Sequence, residues 1–375
     1  IASRVLELAM RIQQVAAPTF HEEKRAQVVR EIFLGEGLVD VGMDGTGNVL
    51  ACLKAGLGRE NASQVPLVIS AHLDTVFPVD TDLTIHKEEQ KIFGAGIGDN
   101  SLGVAALVGL VWMLQDRKIN LPFDTWLAAN TCEEGLGDLL GMRAIVDRFG
   151  GDTTAYIVLE GMALGHIYHR GLGVRRLRIS METEGGHSWI DHGKPSAIHE
   201  LARLSTRLTR LELAKSPRTT LNIGIIRGGT SVNTIAAEAS LELDLRSESP
   251  SALQGLVETV YGICREHEGK AMQVKVDEIG NRPAGEIPIT HPLVSLAGEC
   301  LRREGLEPKL NIGSTDANIP LSLGLPAITL GLTAGGGAHT VHEYIHTAPL
   351  DRGMRALLGV VTGLPGAGWI KAGQA

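Results

Sequence analysis

A histidine and an aspartate stand two residues apart in the stretch SAHLDTV (residues 70–76), directly after the apolar run VPLVI (residues 65–69). Residues i and i+2 of an extended chain point to the same side, so His72 and Asp74 would lie side by side where a strand ends. An imidazole oriented by a carboxylate is a common arrangement at metal sites. A strand that merely runs into a polar loop explains the same residues equally well, so the rest of the chain must decide.

Five more side chains of the kinds that bind metals or move protons follow other apolar or glycine-rich segments. Parallel strands of an open sheet end at one edge, and ligands collect beyond those carboxyl ends, so we expect these side chains to meet there. They are Asp99 after a glycine-rich run, Glu133 and Glu134 after one predicted strand, Glu160 after another, and His339 after a further strand and a glycine loop.

The number of acids at this predicted edge favours two divalent cations. Five carboxylates crowded together could not all stay ionised without cations, because burial and mutual repulsion raise carboxyl pKa values. Three ligand carboxylates and a bridging hydroxide would carry a charge of about −4, which two zinc ions balance. Mixed imidazole and carboxylate ligands suit Zn²⁺, with Co²⁺ or Mn²⁺ as alternatives.

Each candidate also has a simpler explanation when it is taken alone. Asp99 could cap the helix that is predicted to begin near Ser101, since aspartate is favoured at that position. The acids after the strands could lie in solvated loops, and His342 and His346 compete with His339 as ligands. Their joint occurrence at separate segment ends favours the metal site over these explanations.

Alternating helices and strands would deliver these side chains. Apolar residues at helical spacing predict helices, and short apolar runs bounded by glycine or acidic residues predict strands. The alternation implies an α/β fold with a mostly parallel sheet covered on both faces. The predicted helices are 3–16, 20–35 and 101–114, and the predicted strands are 39–42, 48–53, 67–71, 125–131, 156–159 and 326–332.

A different order of predicted helices and strands interrupts this pattern in the middle of the chain. Its predicted order, β-α-β-β-α-β, is typical of a compact α+β unit. We therefore predict two domains: a discontinuous domain of residues 1–171 and 286–375, and a second domain of residues 172–285 that is inserted into it. The predicted strands of the inserted domain are 173–184, 221–227, 238–246 and 273–277, and its predicted helices are 195–213 and 251–268.

The composition excludes several kinds of partner. A net charge of −8 argues against nucleic acid or an anionic membrane as a partner. The chain has no run of about 18 apolar residues, so no membrane span is expected. Four cysteines without CxxC spacing predict free thiols in a reducing cytoplasm. The tail from Gly363 onward is predicted to be a frayed end.

Motifs along nearly the whole chain resemble one enzyme family. They are SAHLDTV, GAGIGDNSLG, NTCEEG, the strand-end acid Glu160, EGGHS, NTIAAEASLELDLRS and AHTVHEYI. In this order they resemble the co-catalytic zinc family of peptidase T, carboxypeptidase G, aminoacylase-1, acetylornithine deacetylase and succinyl-diaminopimelate desuccinylase. The resemblance implies a dinuclear-zinc α/β catalytic domain with an inserted lid domain through which two chains form a homodimer.

The resemblance implies a role for each metal-site residue. His72 and Glu160 would hold one Zn²⁺, Glu134 and His339 would hold the other, and Asp99 would bridge the two. The peptide bond between Asp99 and Asn100 would be cis. Asp74 would orient His72. Glu133 would act as general base on the water between the two ions. The family places a glutamate four residues after its last histidine, and Glu343 therefore favours His339 over His342.

The same resemblance assigns residues to the substrate. His187 would reach the active site of the partner subunit and donate to the scissile carbonyl oxygen in the transition state. Asn233 and Arg246 would grip a substrate carboxylate, with help from Ser314 or Thr315 in the segment GSTD. This segment lacks the arginine that precedes it in the family.

The expected function is metal-dependent hydrolysis of an amide bond in small peptides, of exopeptidase or di- or tripeptidase type, with no cofactor other than metal. Two alternatives are an N-acyl-amino-acid deacylase with the same site and a binding protein that kept only the fold. The last is disfavoured because all seven positions of the metal centre, its orienting aspartate and its base hold competent side chains.

Overall fold

The computed structural model describes residues 1–56, 63–269 and 271–364. The chain divides into two compact units, which are described separately: unit 1 comprises Ile1–Gly171 and Gly285–Ala375, and unit 2 comprises Leu172–Ala284. Gly285 belongs to unit 1 because it pairs with Gly171 in an antiparallel ladder. The predicted frayed tail lies outside the described residues except at its start, where Gly363 ends a helix and Leu364 is buried.

Unit 1 surrounds a nine-stranded sheet with helices. Its helices are α1 (Ala2–Gln13), α2 (Glu23–Gly35), α3 (Leu102–Asp116), α4 (Leu140–Phe149), α7 (Pro292–Arg303), α8 (Asn318–Ser322) and α9 (Leu350–Gly363). Its strands are β1 (Val39–Met43), β2 (Val49–Leu53), β3 (Ser63–His72), β4 (His86–Lys87), β5 (Lys91–Phe93), β6 (Phe123–Asn130), β7 (Tyr156–Leu164), β8 (His166–Gly171), β15 (Gly285–Glu286), β16 (Lys309–Gly313), β17 (Ala327–Gly331), β18 (Gly335–Gly336) and β19 (Tyr344–His346).

The main sheet has the order β1-β2-β6-β3-β7-β17-β8-β15, and β16 also pairs with β8. The four central strands β6, β3, β7 and β17 run parallel to one another, whereas the outer pairs β1/β2, β2/β6, β17/β8 and β8/β15 are antiparallel. The predicted α/β fold with a mostly parallel central sheet is confirmed. Parallel neighbours bring the ends of β3, β6, β7 and β17 to a common edge.

Helix α3 lies at the centre of unit 1. Every residue from Leu102 to Leu114 is buried, and a helix that is apolar on all sides is expected only where other elements enclose it. Among the described residues, the helical stretch Ile97–Asp116 is long and apolar enough to cross a membrane by length and composition, but 94% of its apolar 18-residue segment is buried inside the structure. This burial anchors the turn that precedes the helix.

Two predicted boundaries move for local reasons. The second helix was expected from Phe20, but it begins at Glu23, since Phe20 has a φ of 72°, outside the helical region. The strand expected to end before Glu160 continues to Leu164, so Glu160 lies inside β7 rather than after it.

Unit 2 is a four-stranded antiparallel sheet covered on one face by two helices. Its sheet has the order β11-β13-β9-β14, and a separate two-stranded ladder joins β10 to β12. Its elements are β9 (Gly173–Thr183), β10 (Gly186–His187), α5 (Ala197–Thr209), β11 (Thr219–Gly228), β12 (Thr234–Ile235), β13 (Glu238–Ser247), α6 (Pro250–His267) and β14 (Met272–Arg282).

Alternation along β13 shows how this unit builds its core. Leu241, Leu243 and Leu245 are buried against α5 and α6, while the residues between them face the open side of the sheet. On the open side Glu242 pairs with Arg178. Strand β11 lies at the edge of the sheet, where Ile226 is 59% exposed.

Candidate metal centre

Five predicted ligands come from five separate segments of unit 1. His72 is the last residue of β3, and Asp99 lies in the turn before α3. Glu134 follows β6, Glu160 lies in β7, and His339 lies in the loop between β18 and β19. The parallel arrangement of the central strands therefore places residues that are far apart in sequence at one edge of the sheet.

The side chains meet around the carboxylate of Asp99. The Nε2 atom of His72 lies 3.1 Å from Oδ1 of Asp99, and the Nε2 atom of His339 lies 3.2 Å from Oδ2 of the same carboxylate. His339 Nε2 is also 3.1 Å from Oε1 of Glu134, and His72 Nε2 is 3.8 Å from Oε2 of Glu160. The two oxygens of Asp99 thus face two different imidazoles, each with its own second carboxylate.

These distances fit ligands that share metal ions. Two ligand atoms about 2.1 Å from a tetrahedral zinc ion are separated by about 3.4 Å. One atom each from His72, Asp99 and Glu134 lies within 4.8 Å of the others, as a metal-binding group requires. The donors are imidazole nitrogens and carboxylate oxygens, the set that suits Zn²⁺, Co²⁺ or Mn²⁺. Asp99 does not act as a side-chain cap for α3, so the simpler explanation of this residue does not apply.

Burial and mutual contacts shift the pKa values of four predicted ligands. Burial alone would lower the pKa of His72, but its carboxylate neighbours, Asp74 first, raise that pKa well above its ordinary value. Hydrogen bonds to Asp99 and Glu134 raise the pKa of the more exposed His339 to about 10. Burial would raise the pKa of Asp99, yet the two imidazoles lower it. Burial raises the pKa of Glu160 despite its contact with His72.

The turn that carries Glu133 and Glu134 is held by side chains at four successive backbone N–H groups. The N–H of Glu133 donates to Oδ1 of Asp74 at 2.9 Å, and the N–H of Glu134 donates to Oδ2 at 2.8 Å. The two preceding donors are bound in the same way: Thr131 N–H to Asn48 Oδ1 at 2.9 Å and Cys132 N–H to Glu22 Oε1 at 3.0 Å. Both glutamates are buried, each residue being 6% exposed.

Asp74 therefore does more than face the imidazole of His72. Its backbone carbonyl oxygen lies 3.0 Å from Nδ1 of His72, whereas its carboxylate is 3.6 Å from that nitrogen. The same carboxylate accepts the hydroxyl of Thr19 at 2.9 Å in addition to the two N–H groups of the glutamate turn. Asp74 links the end of β3 to the turn after β6.

Asn100 links the Asp99 turn to β7. The Asp99–Asn100 peptide bond is cis, as the family resemblance implied. The Nδ2 group of Asn100 donates to the carbonyl oxygen of Leu159 at 2.8 Å, and its Oδ1 accepts the N–H groups of Gly161 and Gly103 at 3.0 and 3.1 Å. This amide fixes the residues on either side of Glu160 and also caps the first turn of α3.

A buried acid, Asp316, is linked to the predicted metal centre through a hydrogen bond to Asn130. Asp316 is fully buried, and its Oδ2 accepts Nδ2 of Asn130 at 2.7 Å. Within the described part of the chain, Oδ1 of Asp316 and Oδ1 of Asn130 have no hydrogen-bond partner. Burial raises the pKa of Asp316 to about 7. Asn130 is the cross-strand neighbour of His72. Asp316 is therefore linked to the predicted ligand His72 through Asn130.

The predicted substrate residues fall into two groups. In unit 2, His187 is paired across the β10/β12 ladder with Thr234, the neighbour of Asn233, so these two predicted residues lie together. Arg246, on β13, donates from Nε and Nη2 to the two oxygens of Asp244 at 2.6 and 3.2 Å. In unit 1, Thr315 hydroxyl pairs with that of Thr329 at 2.8 Å, and Ser314 precedes it after β16.

Several residues of the site were not assigned from the sequence. Glu22, Asn48, Asn100, Asn130 and Asp316 all hold backbone or side chains beside the predicted ligands. The sequence carries a recognisable pattern only near Glu22, in the helix that follows it. There Arg25 lies at helical spacing from Val29 and Phe33 and is buried on the same face, which could have marked this helix as part of the site. Arg25 donates through Nη1 to the carbonyl oxygen of Leu73 at 2.7 Å.

Comparisons with known proteins agree with this arrangement. Residues 68–363 match the model of peptidase family M20/M25/M40. The uncharacterised protein YqjE of Bacillus subtilis (strain 168) is 22% identical over 93% of this chain and 94% of its own length. Acetylornithine deacetylase of Myxococcus xanthus is 24% identical over 81% of this chain and 80% of its own. The crystal structure of a tripeptidase from Staphylococcus aureus Mu50 superposes with a TM-score of 0.81, at 21% identity, over 96% of this chain and 98% of that one.

Proposed function

This chain belongs to peptidase family M20/M25/M40 and is a metal-dependent amide hydrolase, and within that activity we propose that it removes a residue from one end of small peptides. The observation that carries the metal-dependent activity is the carboxylate of Asp99, whose two oxygens each face a different imidazole at 3.1 and 3.2 Å. Glu133, which precedes the predicted ligand Glu134 in the chain, is a buried acid that is not among the five predicted ligands.

We propose two zinc ions per chain, with Co²⁺ or Mn²⁺ as substitutes. His72 and Glu160 would hold one ion, Glu134 and His339 the other, and Asp99 would bridge them. Metal analysis of purified protein should give two ions per chain, and a chelator should abolish turnover while most of the fold remains. Full activity at one ion per chain would contradict the proposal.

The protein side chains then carry the proton transfers. Metal ions held by the five ligands would polarise the scissile carbonyl and lower the pKa of a nearby water. Glu133 takes a proton from that water as general base and gives it to the leaving amine as general acid. Asp74 keeps Glu133 and Glu134 in their separate orientations by binding both backbone N–H groups.

Unit 2 supplies the substrate contacts in this proposal and acts as the lid domain. Nδ1 of His187 accepts the N–H of Trp189 at 3.2 Å, which favours the tautomer that carries its proton on Nε2. That proton suits donation to the carbonyl oxygen as negative charge develops there. Asn233 and Arg246 would grip the carboxylate of the substrate, with Ser314 or Thr315 assisting from unit 1. Arg246 has further N–H donors beyond the two that bind Asp244.

We propose that two chains form a homodimer through unit 2, so that His187 acts in the active site of the partner subunit. Inactive His187→Ala and inactive Glu133→Gln subunits should then regain part of the activity when they are mixed and allowed to exchange. No rescue after proven exchange would assign His187 to its own chain.

The four cysteines are buried and form no disulfide, which supports a reducing, cytoplasmic location.

The substrate class is tested by comparing rates on matched substrates. The similar tripeptidase structure supports a peptide substrate, whereas the similar acetylornithine deacetylase supports a second candidate, an N-acyl amino acid. Dipeptides, tripeptides and N-acetyl amino acids with the same C-terminal residue should be compared by kcat/KM. Faster turnover of the acetylated amino acids would replace the peptidase with the deacylase. Blocking the C-terminal carboxylate should lower kcat/KM, and Arg246→Ala should abolish this effect if Arg246 grips the carboxylate. Arg175→Ala, on the neighbouring strand β9, is the control and should preserve it.

A further inference from the structure

Glu343 is a fully buried acid that neither binds a metal nor moves a proton in the proposed reaction. Its carboxylate accepts three backbone N–H groups of the segment that leads to the bridging ligand. Oε1 accepts the N–H groups of Gly98 and Asp99 at 2.7 and 2.8 Å, and Oε2 accepts the N–H of Gly96 at 3.1 Å. A carboxylate that replaces water at three donors of one turn fixes the path of that turn.

The main chain around Glu343 is attached to the same segment. The N–H of Gly94 donates to the carbonyl oxygen of Glu343 at 2.9 Å, and the following strand β19 pairs with β5, which leads into Gly94. Glu343 therefore binds the Asp99 turn through its side chain and through its backbone. These contacts join positions that are about 250 residues apart in the chain, as the separation of 247 residues between Gly96 and Glu343 shows.

Glu343 also lies in the loop of a second ligand. The N–H of Glu343 donates to the carbonyl oxygen of Thr340 at 3.1 Å, and Thr340 follows His339. His339 has a φ of 64°, a left-handed conformation that is uncommon for a residue other than glycine and needs support from its surroundings. The loop that turns His339 towards Asp99 is thus held, through Glu343, to the turn that carries Asp99.

We propose that Glu343 is a positioning residue that forms the bridging half of the metal centre before any metal binds. Its carboxylate holds Asp99 and the loop of His339 in the geometry that two ions require. Metal binding then meets an ordered turn instead of having to order it. The proposal rests on the proposed function only in that these residues hold metal, which the titration of the unchanged protein tests separately.

The first test uses the natural protein without metal. Hydrogen–deuterium exchange is followed by NMR or by mass spectrometry on peptides that cover residues 94–100. The amide protons of Gly96, Gly98 and Asp99 should exchange at least about 100-fold more slowly than in an unstructured chain, with or without metal. Rapid exchange in the metal-free protein, slowed only when metal is added, would show that the metal orders the turn and would overturn the proposal.

The second test changes the carboxylate and measures metal binding directly. Glu343→Gln replaces one acceptor oxygen by an NH₂ group that faces backbone donors, and Glu343→Asp keeps the charge but shortens its reach. Co²⁺ titrations followed by visible absorption report affinity and ligand geometry without turnover. Residues that orient metal ligands change affinity by about 10- to 100-fold when they are substituted, and we expect a loss of this size for Glu343→Gln, with Glu343→Asp in between.

Glu304→Gln is the matched control, because it removes a carboxylate that binds Arg355 on helix α9 of the same unit. It should leave the Co²⁺ affinity and spectrum unchanged. Glu343→Gln that folds and binds two Co²⁺ ions with unchanged affinity and spectrum would overturn the proposal. If Glu343→Gln does not fold, the exchange experiment on the natural protein decides the question.

Discussion

Glu133 and Glu134 are neighbours in the chain, yet the proposed reaction needs them to face different partners. The carboxylate of Asp74 binds the N–H group of each, and the Glu134 side chain reaches Nε2 of His339 at 3.1 Å. The proposed reaction assigns Glu134 to a metal ion and Glu133 to the water. The Asp74 carboxylate holds the backbone at both residues from outside the turn.

Glu133→Gln should separate metal binding from catalysis. An amide of the same shape cannot accept the proton of the attacking water, so kcat should fall by about 10²- to 10⁴-fold while two metal ions remain bound. Metal analysis and steady-state kinetics check the two halves of this expectation. Glu286→Gln, which alters an exposed partner of Arg170, should change neither. Near-normal activity of Glu133→Gln would assign the general base to another residue.

Asp316→Asn should make the metal-free protein less sensitive to pH. Burial raises the pKa of Asp316 from an ordinary value of 3.8 to about 7. Below about pH 4 the carboxyl is protonated in both folded and unfolded chains. Between about pH 4 and pH 7 the folded protein keeps a proton that the unfolded chain releases, so the free energy of unfolding falls as pH rises, and the cost is complete above the folded pKa.

The asparagine has no such proton and can still accept Nδ2 of Asn130. The free energy of unfolding of Asp316→Asn, relative to the natural protein, should therefore rise between pH 5 and pH 8, as urea titrations of metal-free protein can measure. Asp116→Asn, at an exposed position at the end of α3, should show no such trend. A difference that stays constant across this range would mean that Asp316 is already ionised in the folded state.

At the scale of elements, the sequence was most informative where apolar runs end in acids or histidines. Strands β6 and β17 and helix α3 were predicted within two residues of their observed bounds, because strong apolar patterns dominate local structure there. The end of β3 was predicted to within one residue, but the strand begins four residues before its predicted start. Helices α4, α7 and α9 were not assigned. The supports of the site were also missed, since bonds such as Gly96 N–H to Glu343 join residues 247 positions apart and no local pattern encodes them.

Gly161→Ala should pull β7 away from the Asp99 turn. A Cβ atom at Gly161 would lie 2.1 Å from the carbonyl oxygen of Gly98 and 2.9 Å from Cβ of Leu102, so one of the two segments must move. Glu160 and Asp99 lie next to these two glycines, so the Co²⁺ affinity should fall, together with a loss of about 1–3 kcal/mol in the free energy of unfolding. Co²⁺ titration and urea unfolding check the two effects.

Gly262→Ala is the matched control for this substitution. Gly262 lies within helix α6 of unit 2, and a Cβ atom there would have no atom within 4 Å. Alanine should raise the free energy of unfolding by about 0.4–1 kcal/mol, since it restricts the unfolded chain, and leave metal affinity unchanged. If both variants had the same metal affinity as the natural protein, the close approach of β7 to the Asp99 turn would not matter for the ligands.

At the scale of the whole molecule, edge strand β11 is the surface that the proposed dimer would use. An unpaired edge of a sheet offers backbone groups to a second chain, and β11 exposes Ile225 and Ile226 beside them, at 39% and 59%. Ile226→Lys should shift the protein from two-chain to one-chain mass in sedimentation equilibrium and lower activity if His187 acts across the dimer. Ile289→Lys, at a position in unit 1 that is also 59% exposed, should change neither. A natural protein that sediments as a single chain would refute the dimer.

The pairing of Gly171 with Gly285 has a consequence for how such a chain can fold at all. Closing a loop costs entropy that grows with the logarithm of its length, and all of unit 2 lies inside this one loop. Its first and last strands, β9 and β14, are themselves neighbours, with Val174 opposite Arg282. Once unit 2 has folded, its two ends are already together, and unit 1 closes its β8/β15 ladder almost as though a short hairpin turn joined it. We therefore expect unit 2 to fold first, and a chain in which two turn residues replace Leu172–Ala284 to retain the ladder.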